Sequence, residues 1–145
     1  MKLPEYVSAE EVRRVCKELG ISDWSKKKKA RVKLAEAKKI LKQLNKSSMK
    51  IDPEQFRAGL EVELEHGTMF PRYNVTNNHP MLTGKIVLAH FMEMLDYYQR
   101  LEKAELEGDL LKALQKKDMT KARNYFKRIA KAKEELSVSE GRSLK

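Results

Sequence analysis

An all-α fold of five to six helices is predicted for this chain, on three observations. Apolar residues recur at spacings of three and four along most of its length. Only six Gly and four Pro interrupt 145 residues. Ala, Lys, Glu and Leu, all good helix formers, are common. No segment reads convincingly as a strand. The length suits one domain, placed at 1–136, with 137–145 expected as a flexible tail.

Ser8 followed by Glu11 is a capping box, and Gly20 is a natural stop. Val12, Val15, Cys16 and Leu19 recur between them, so the first helix is expected over 9–19. Cys16 lies on that stripe and reads as a small buried hydrophobe. Ser22 or Ser25 can cap a second helix running to Leu44, with Ala30, Leu34, Ala37, Leu41 and Leu44 as its apolar stripe. Lys28, Arg31, Lys38 and Lys42 would line up along one side of it. Trp24, just ahead, can staple the turn or stack on a base. Asn45-Lys46-Ser47-Ser48 is a break, closing a basic N-terminal region of 1–50.

Asp52-Pro53-Glu54-Gln55 is the strongest helix start in the chain, with Pro suited to the first helical position. This helix is expected to reach His66 and stop at Gly67, with Phe56, Leu60 and Leu64 facing the core. Gly59 inside it costs about 1 kcal/mol against Ala and suggests close approach by another element. Residues 67–82, with Pro71, Asn74, Asn77, Asn78 and Pro80, form a loop that is long for a compact domain. Thr83 is expected to cap a long helix over 84–107 ended by Gly108. Asp109 and Asp118 would cap two more, over 110–117 and 119–136. The centre is then an antiparallel helical hairpin with a long ordered loop.

The net charge of +10 is unevenly spread. Residues 1–51 hold fifteen Lys or Arg against six Asp or Glu. Residues 52–100 hold four against seven, and residues 101–145 hold twelve against eight. An acidic middle with all three histidines therefore sits between basic flanks. That asymmetry suggests polyanion contact by the flanks. Lys28, Arg31, Lys38 and Lys42, with Lys127 and Arg128 in the last helix, are the candidate contacts to nucleic acid or an acidic protein. Lys outnumbers Arg, which favours backbone contact over base reading. A solvated face is the competing explanation.

The single cysteine excludes an internal disulfide framework and a cysteine-based zinc site. Met1-Lys2-Leu3-Pro4-Glu5 lacks the apolar core of a secretion leader. No stretch approaches the roughly 18 apolar residues of a membrane span. A cytoplasmic setting is expected, and Asn45-Lys46-Ser47 and Asn74-Val75-Thr76 read as chance glycosylation matches.

The middle carries mirrored motifs, Glu63-Leu64-Glu65-His66 and His90-Phe91-Met92-Glu93. Three-residue spacing puts carboxylate and imidazole on nearly the same helix face. Two such helices packed together can gather Glu63, His66, His90 and Glu93, a ligand set suited to Zn, Fe or Mn. A homo-oligomer could complete it. The same four residues can equally be a polar cluster that only fixes the core. Glu61 and Glu65 face elsewhere and are expected in solvent or paired with Lys or Arg. His79 is expected to be solvated. Thr83-Gly84-Lys85 lacks the preceding glycines of a phosphate loop and reads as a helix cap.

The run Asp52 to Gly67, the loop Asn74 to Asn77, Leu82-Thr83-Gly84-Lys85-Ile86, Ala89-His90 and Asp96-Tyr97-Tyr98 together resemble the signature of a family. Its members are small proteins of unknown function from bacteria, archaea and their viruses. The resemblance spans about 52–103 and implies no reaction. The Lys-rich 26–50 and the C-terminal pair 109–136 look like additions to that core. The expected function is a non-catalytic accessory or structural protein, cytoplasmic or virion-associated, with no cofactor. The alternative is a divalent-metal-binding helical protein.

Overall fold

The computed structural model of the protein describes residues 7–46 and 49–144. Among them it is all-α, with six helices and no strand. These are α1 Ala9–Leu19, α2 Leu34–Leu44, α3 Pro53–Met69, α4 Pro80–Glu93, α5 Tyr97–Gln115 and α6 Met119–Ser143, with 3-10 turns at Trp24–Lys26 and Pro71–Tyr73. The chain divides into two compact units, residues 1–92 and residues 93–145. The leader reading of Met1 to Glu5, the Ser47-Ser48 half of the expected break and the last tail residue lie outside the described residues.

In the first unit, α1 forms as its caps dictate. Ser8 Oγ accepts from the Glu11 amide at 3.2 Å, and Gly20 takes the left-handed conformation that closes the helix. Trp24 is fully buried and its amide donates to Cys16 Sγ at 3.4 Å. It is a core residue, which removes it as a platform for a base.

The second helix starts at Leu34, well after the Ser22 or Ser25 cap expected for it and past Ala30, the first residue of its expected stripe. Asp23 caps only the short turn, accepting from the Ser25 amide at 3.0 Å and its hydroxyl at 2.6 Å. Four consecutive lysines follow, and like charges at helical spacing repel. The chain then runs without helix through Val32, which is buried and donates its amide to Glu61 Oε1 at 2.9 Å. Ala30 is therefore not helical. The buried apolar face of α2 is Ala37, Ile40 and Leu41.

Asp52 caps α3 through the Glu54 amide at 2.8 Å, with Pro53 in the first turn. Phe56, Leu60 and Leu64 are buried as expected, together with Gly59. Gly67 does not stop the helix, which continues to Met69. Its missing side chain serves another purpose: a Cβ there would overlap Asn78 Oδ1 and come within 2.6 Å of Asn74. The glycine is a seat for the loop.

Helix α4 starts at Pro80, so Thr83 is not its cap but a buried residue of its first turn. Gly84 lets α4 press on α2 and α3. A Cβ would meet Leu44 Cδ1 at 2.5 Å, Ile40 Cγ2 at 2.9 Å and Phe56 Cζ at 3.3 Å.

The expected single helix over 84–107 is two, broken at Met94-Leu95-Asp96 without a Gly or Pro. In the second unit Asp96 instead grips Arg100 at 2.8 Å in the first turn of α5. Gly108 has open space around it and α5 runs through it. The expected helix over 110–117 is the end of α5, and Asp109 pairs with Lys112 rather than capping. Lys117 turns the chain at φ 54°, and Asp118 caps α6 through the Lys121 amide at 3.0 Å, as its sequence position suggested. Helices α5 and α6 pack together around Leu106, Ile129 and Ala132, with Leu110 and Tyr125 alongside. Ala122, Ile129 and Leu136 fall seven residues apart on the buried side, and α6 continues beyond the expected end at 136 to Ser143.

Candidate functional site

The first unit brings three of the four paired Glu and His residues together. Glu63 lies between two imidazoles: its Oε2 is 3.7 Å from His66 Nδ1, and its Oε1 is 3.5 Å from His90 Nε2. The carboxylate is largely buried, with 11% of its side chain exposed, against 67% for His66 and 26% for His90. At these separations the three side chains form an ion-pair-type grouping centred on the Glu63 carboxylate. Glu93 is the exposed last residue of α4 and falls in the second unit. Among the described residues no group of three or more His, Cys, Asp or Glu is arranged to hold a metal ion.

Residues that looked incidental in the sequence hold the site's frame. Glu61 is half-buried and accepts from both the Val32 amide at 2.9 Å and Arg57 Nη1 at 3.0 Å. It ties the non-helical approach to α2 onto α3. Arg57 is the expected kind of partner for it; a bond to a backbone amide 29 residues away had no local signal.

The loop between α3 and α4 is built from asparagines. Asn74 Nδ2 donates to Asn78 Oδ1 at 3.1 Å, directly above Gly67. Asn77 Nδ2 donates to the Val7 carbonyl at 3.0 Å, binding the loop to the entry of α1. Asn77 and Asn78 have φ of 49° and 57°, a conformation Asn tolerates better than most residues.

His79, expected in solvent, is buried. Its Nδ1 accepts from the amides of Met81 at 3.2 Å and Leu82 at 3.3 Å, so the imidazole is the cap of α4. Glu11 Oε1 lies 3.9 Å from Nε2. Burial pushes the imidazole below its ordinary value, although Glu11 pulls the other way. A proton on Nδ1 would also destroy both cap bonds. The unfolded chain therefore binds this proton more readily than the native one. The stabilisation is complete above about pH 6.5 and is lost as pH falls through the lowered native value. We expect the melting temperature of the first unit, followed by Trp24 fluorescence, to drop as pH falls below about 6.5, and the drop to flatten in His79→Asn, which caps without titrating.

The candidate polyanion contacts are exposed. Lys28 and Arg31 stand in the non-helical approach to α2, and only Lys38 and Lys42 share its helical surface, so no single helix face carries all four. Among the described residues, Lys28, Lys29, Arg31, Lys33, Lys38 and Lys42 have no carboxylate within ion-pair distance. Other cations are engaged: Lys26 with Asp23, Lys27 over the Trp24 ring, and Lys39 on the Gly20 carbonyl. In the second unit Lys127 is exposed and has no such partner, whereas Arg128 lies 3.9 Å from Glu102 and over the Tyr125 ring. Cys16 is buried, and burial pushes its thiol up, away from nucleophile chemistry.

A family profile described as "Protein of unknown function (DUF5661)" matches residues 12–107. No curated protein and no solved structure matches the chain. The match starts well before residue 52, so the Lys-rich approach and α2 are part of the family region rather than additions to it, while α6 lies beyond it. The chain belongs to the DUF5661 family.

Proposed function

We propose that this member of the family is a non-catalytic accessory protein that holds a nucleic-acid backbone on its exposed lysines and arginines. The observation that supports the reading is the set of uncompensated cations Lys28, Lys29, Arg31, Lys33, Lys38 and Lys42, gathered between residues 28 and 42. Such charges bind phosphates by releasing counterions and need no base contact. Lys127 and Arg128 extend the same chemistry to the second unit. The polar groups of the middle segment speak for structure rather than turnover: His79 caps α4, Glu61 holds a backbone amide, and Asn74 and Asn78 pair above Gly67. No helix of the described residues is long and apolar enough to cross a membrane.

The reading makes a salt-dependent prediction. Wild-type protein should bind a labelled oligonucleotide at about 50 mM salt, with log affinity falling linearly in log salt. Lys28→Gln/Arg31→Gln/Lys38→Gln/Lys42→Gln should weaken that binding roughly 10- to 1,000-fold and flatten the slope by about 0.7–0.9 for each phosphate that is no longer neutralised. Fluorescence anisotropy measures both. If neither single nor double strands bind in a salt-sensitive way, the reading is wrong. Equal affinity for polyglutamate would assign the surface to an acidic protein instead. Metal binding is the weaker alternative, since it is supported only by Glu63 standing between two imidazoles.

A further inference from the structure

We infer that α6 binds single-stranded nucleic acid, with Phe126 stacking on a base while Arg123 and Lys127 hold the flanking phosphates. This rests on the polyanion reading above and names the form of nucleic acid that the second unit selects. Residues 119–133 contain six Lys or Arg and no Asp or Glu. Phe126 stands near the middle of that run and is 67% exposed. It takes no part in the α5–α6 core, which is built from Leu106, Ile129 and Ala132 with Leu110 and Tyr125.

Helical spacing puts Met119, Arg123, Phe126, Ala130 and Lys133 on one stripe, which borders the buried line of Ala122, Ile129 and Leu136 on its solvent side. Arg123 thus precedes the ring by one turn, and Lys133 follows it by two, roughly 10 Å along the axis. Among the described residues Arg123, Lys127 and Lys133 have no carboxylate partner. Ala130, directly after the ring on this stripe, leaves room beside it. An aromatic face open to solvent and bordered by free cations is what an unpaired base and its phosphates require. A duplex offers the same phosphates, but its base faces are already stacked and out of reach. The charge therefore binds both forms, and the ring adds affinity for one.

The test compares a labelled oligodeoxythymidine with a duplex of equal length, using full-length protein at fixed low salt. Phe126→Ala should weaken single-strand binding about 5- to 100-fold and leave duplex binding within about twofold. Phe126→Trp should retain or improve single-strand binding, and Arg123→Gln/Lys127→Gln should weaken both forms. Circular dichroism on each variant confirms that α6 is intact. If Phe126→Ala changes neither form while the charge variant weakens both, stacking is refuted and the polyanion reading stands. If it weakens both equally, the strand preference is refuted. If wild-type protein binds neither form, the polyanion reading itself fails. If Phe126→Ala instead abolishes a concentration-dependent dimer seen by sedimentation, the face belongs to a second copy of the chain.

Discussion

Phe56→Ala is expected to destabilise the first unit by about 3–5 kcal/mol. Phe56 is fully buried on α3, and its ring reaches the place where α4 comes closest. A Cβ on Gly84 would lie 3.3 Å from Phe56 Cζ and within 3 Å of Leu44 and Ile40 side-chain atoms, so side chains from α2 and α3 fill this junction against α4. Removing the ring takes away the packing that Gly84 was left bare to receive. The hole cannot close by a small shift, because the neighbours belong to different helices that are tied down elsewhere. One tie is Glu61, which fixes the approach to α2 through the Val32 amide. Urea unfolding followed by the single buried tryptophan, Trp24, reads this unit alone. Phe56→Leu, which keeps most of the volume, should cost roughly 1–1.5 kcal/mol. A destabilisation in Phe56→Ala no larger than in Phe56→Leu would mean that the helices repack freely around the junction.

What the sequence revealed depended on whether the relevant forces were local. Ser8, Gly20, Asp52 and Asp118 act on backbone groups within a few residues of themselves, and each was readable as a cap from spacing alone. The core positions Phe56, Leu60 and Leu64 were equally legible, because a helix repeats its face. The misreadings share one cause, a residue whose role is set by a distant element. Gly67 and Gly84 looked like a stop and the middle of a cap motif; both are bare because another part of the chain lies against them. His79 looked solvated beside Pro80, yet its ring supplies the cap that Thr83 was expected to give. Ala30 fitted a helical stripe, but the long-range bond from Val32 to Glu61 holds a non-helical chain there. In the site, Glu63 stands 3.7 Å from His66 and 3.5 Å from His90. The spacing implied that four cations share one helix face, which fails once α2 begins at Leu34.

Gly67→Ala should cost the first unit about 1–3 kcal/mol, more than a helical Gly→Ala change would suggest, because Ala is the better helix former. The sign is reversed by the loop. The added methyl would overlap Asn78 Oδ1 and sit 2.6 Å from Asn74 Cγ and Nδ2. Neither asparagine can swing aside cheaply. They are joined to each other by the 3.1 Å side-chain bond, and Asn74 Oδ1 also accepts from the Asn78 amide at 3.3 Å. Displacing Asn78 would also strain the turn that delivers His79 to the start of α4. The coupling can be measured with a double-mutant cycle. Asn78→Ala alone should be destabilising, since it removes the hydrogen bond from Asn74 and puts at positive φ a residue that tolerates that conformation less well than Asn. In the Asn78→Ala background Gly67→Ala should lose much of its penalty, giving a non-additive term of about 0.5–2 kcal/mol. Strict additivity would mean that the loop does not rest on Gly67, and the motif that joins His66-Gly67 to the asparagine loop would need another explanation. A positive coupling makes that motif a mechanical joint: a bare helix surface, two interlocked amides over it, and a histidine cap set in register for the helix that carries His90 to Glu63.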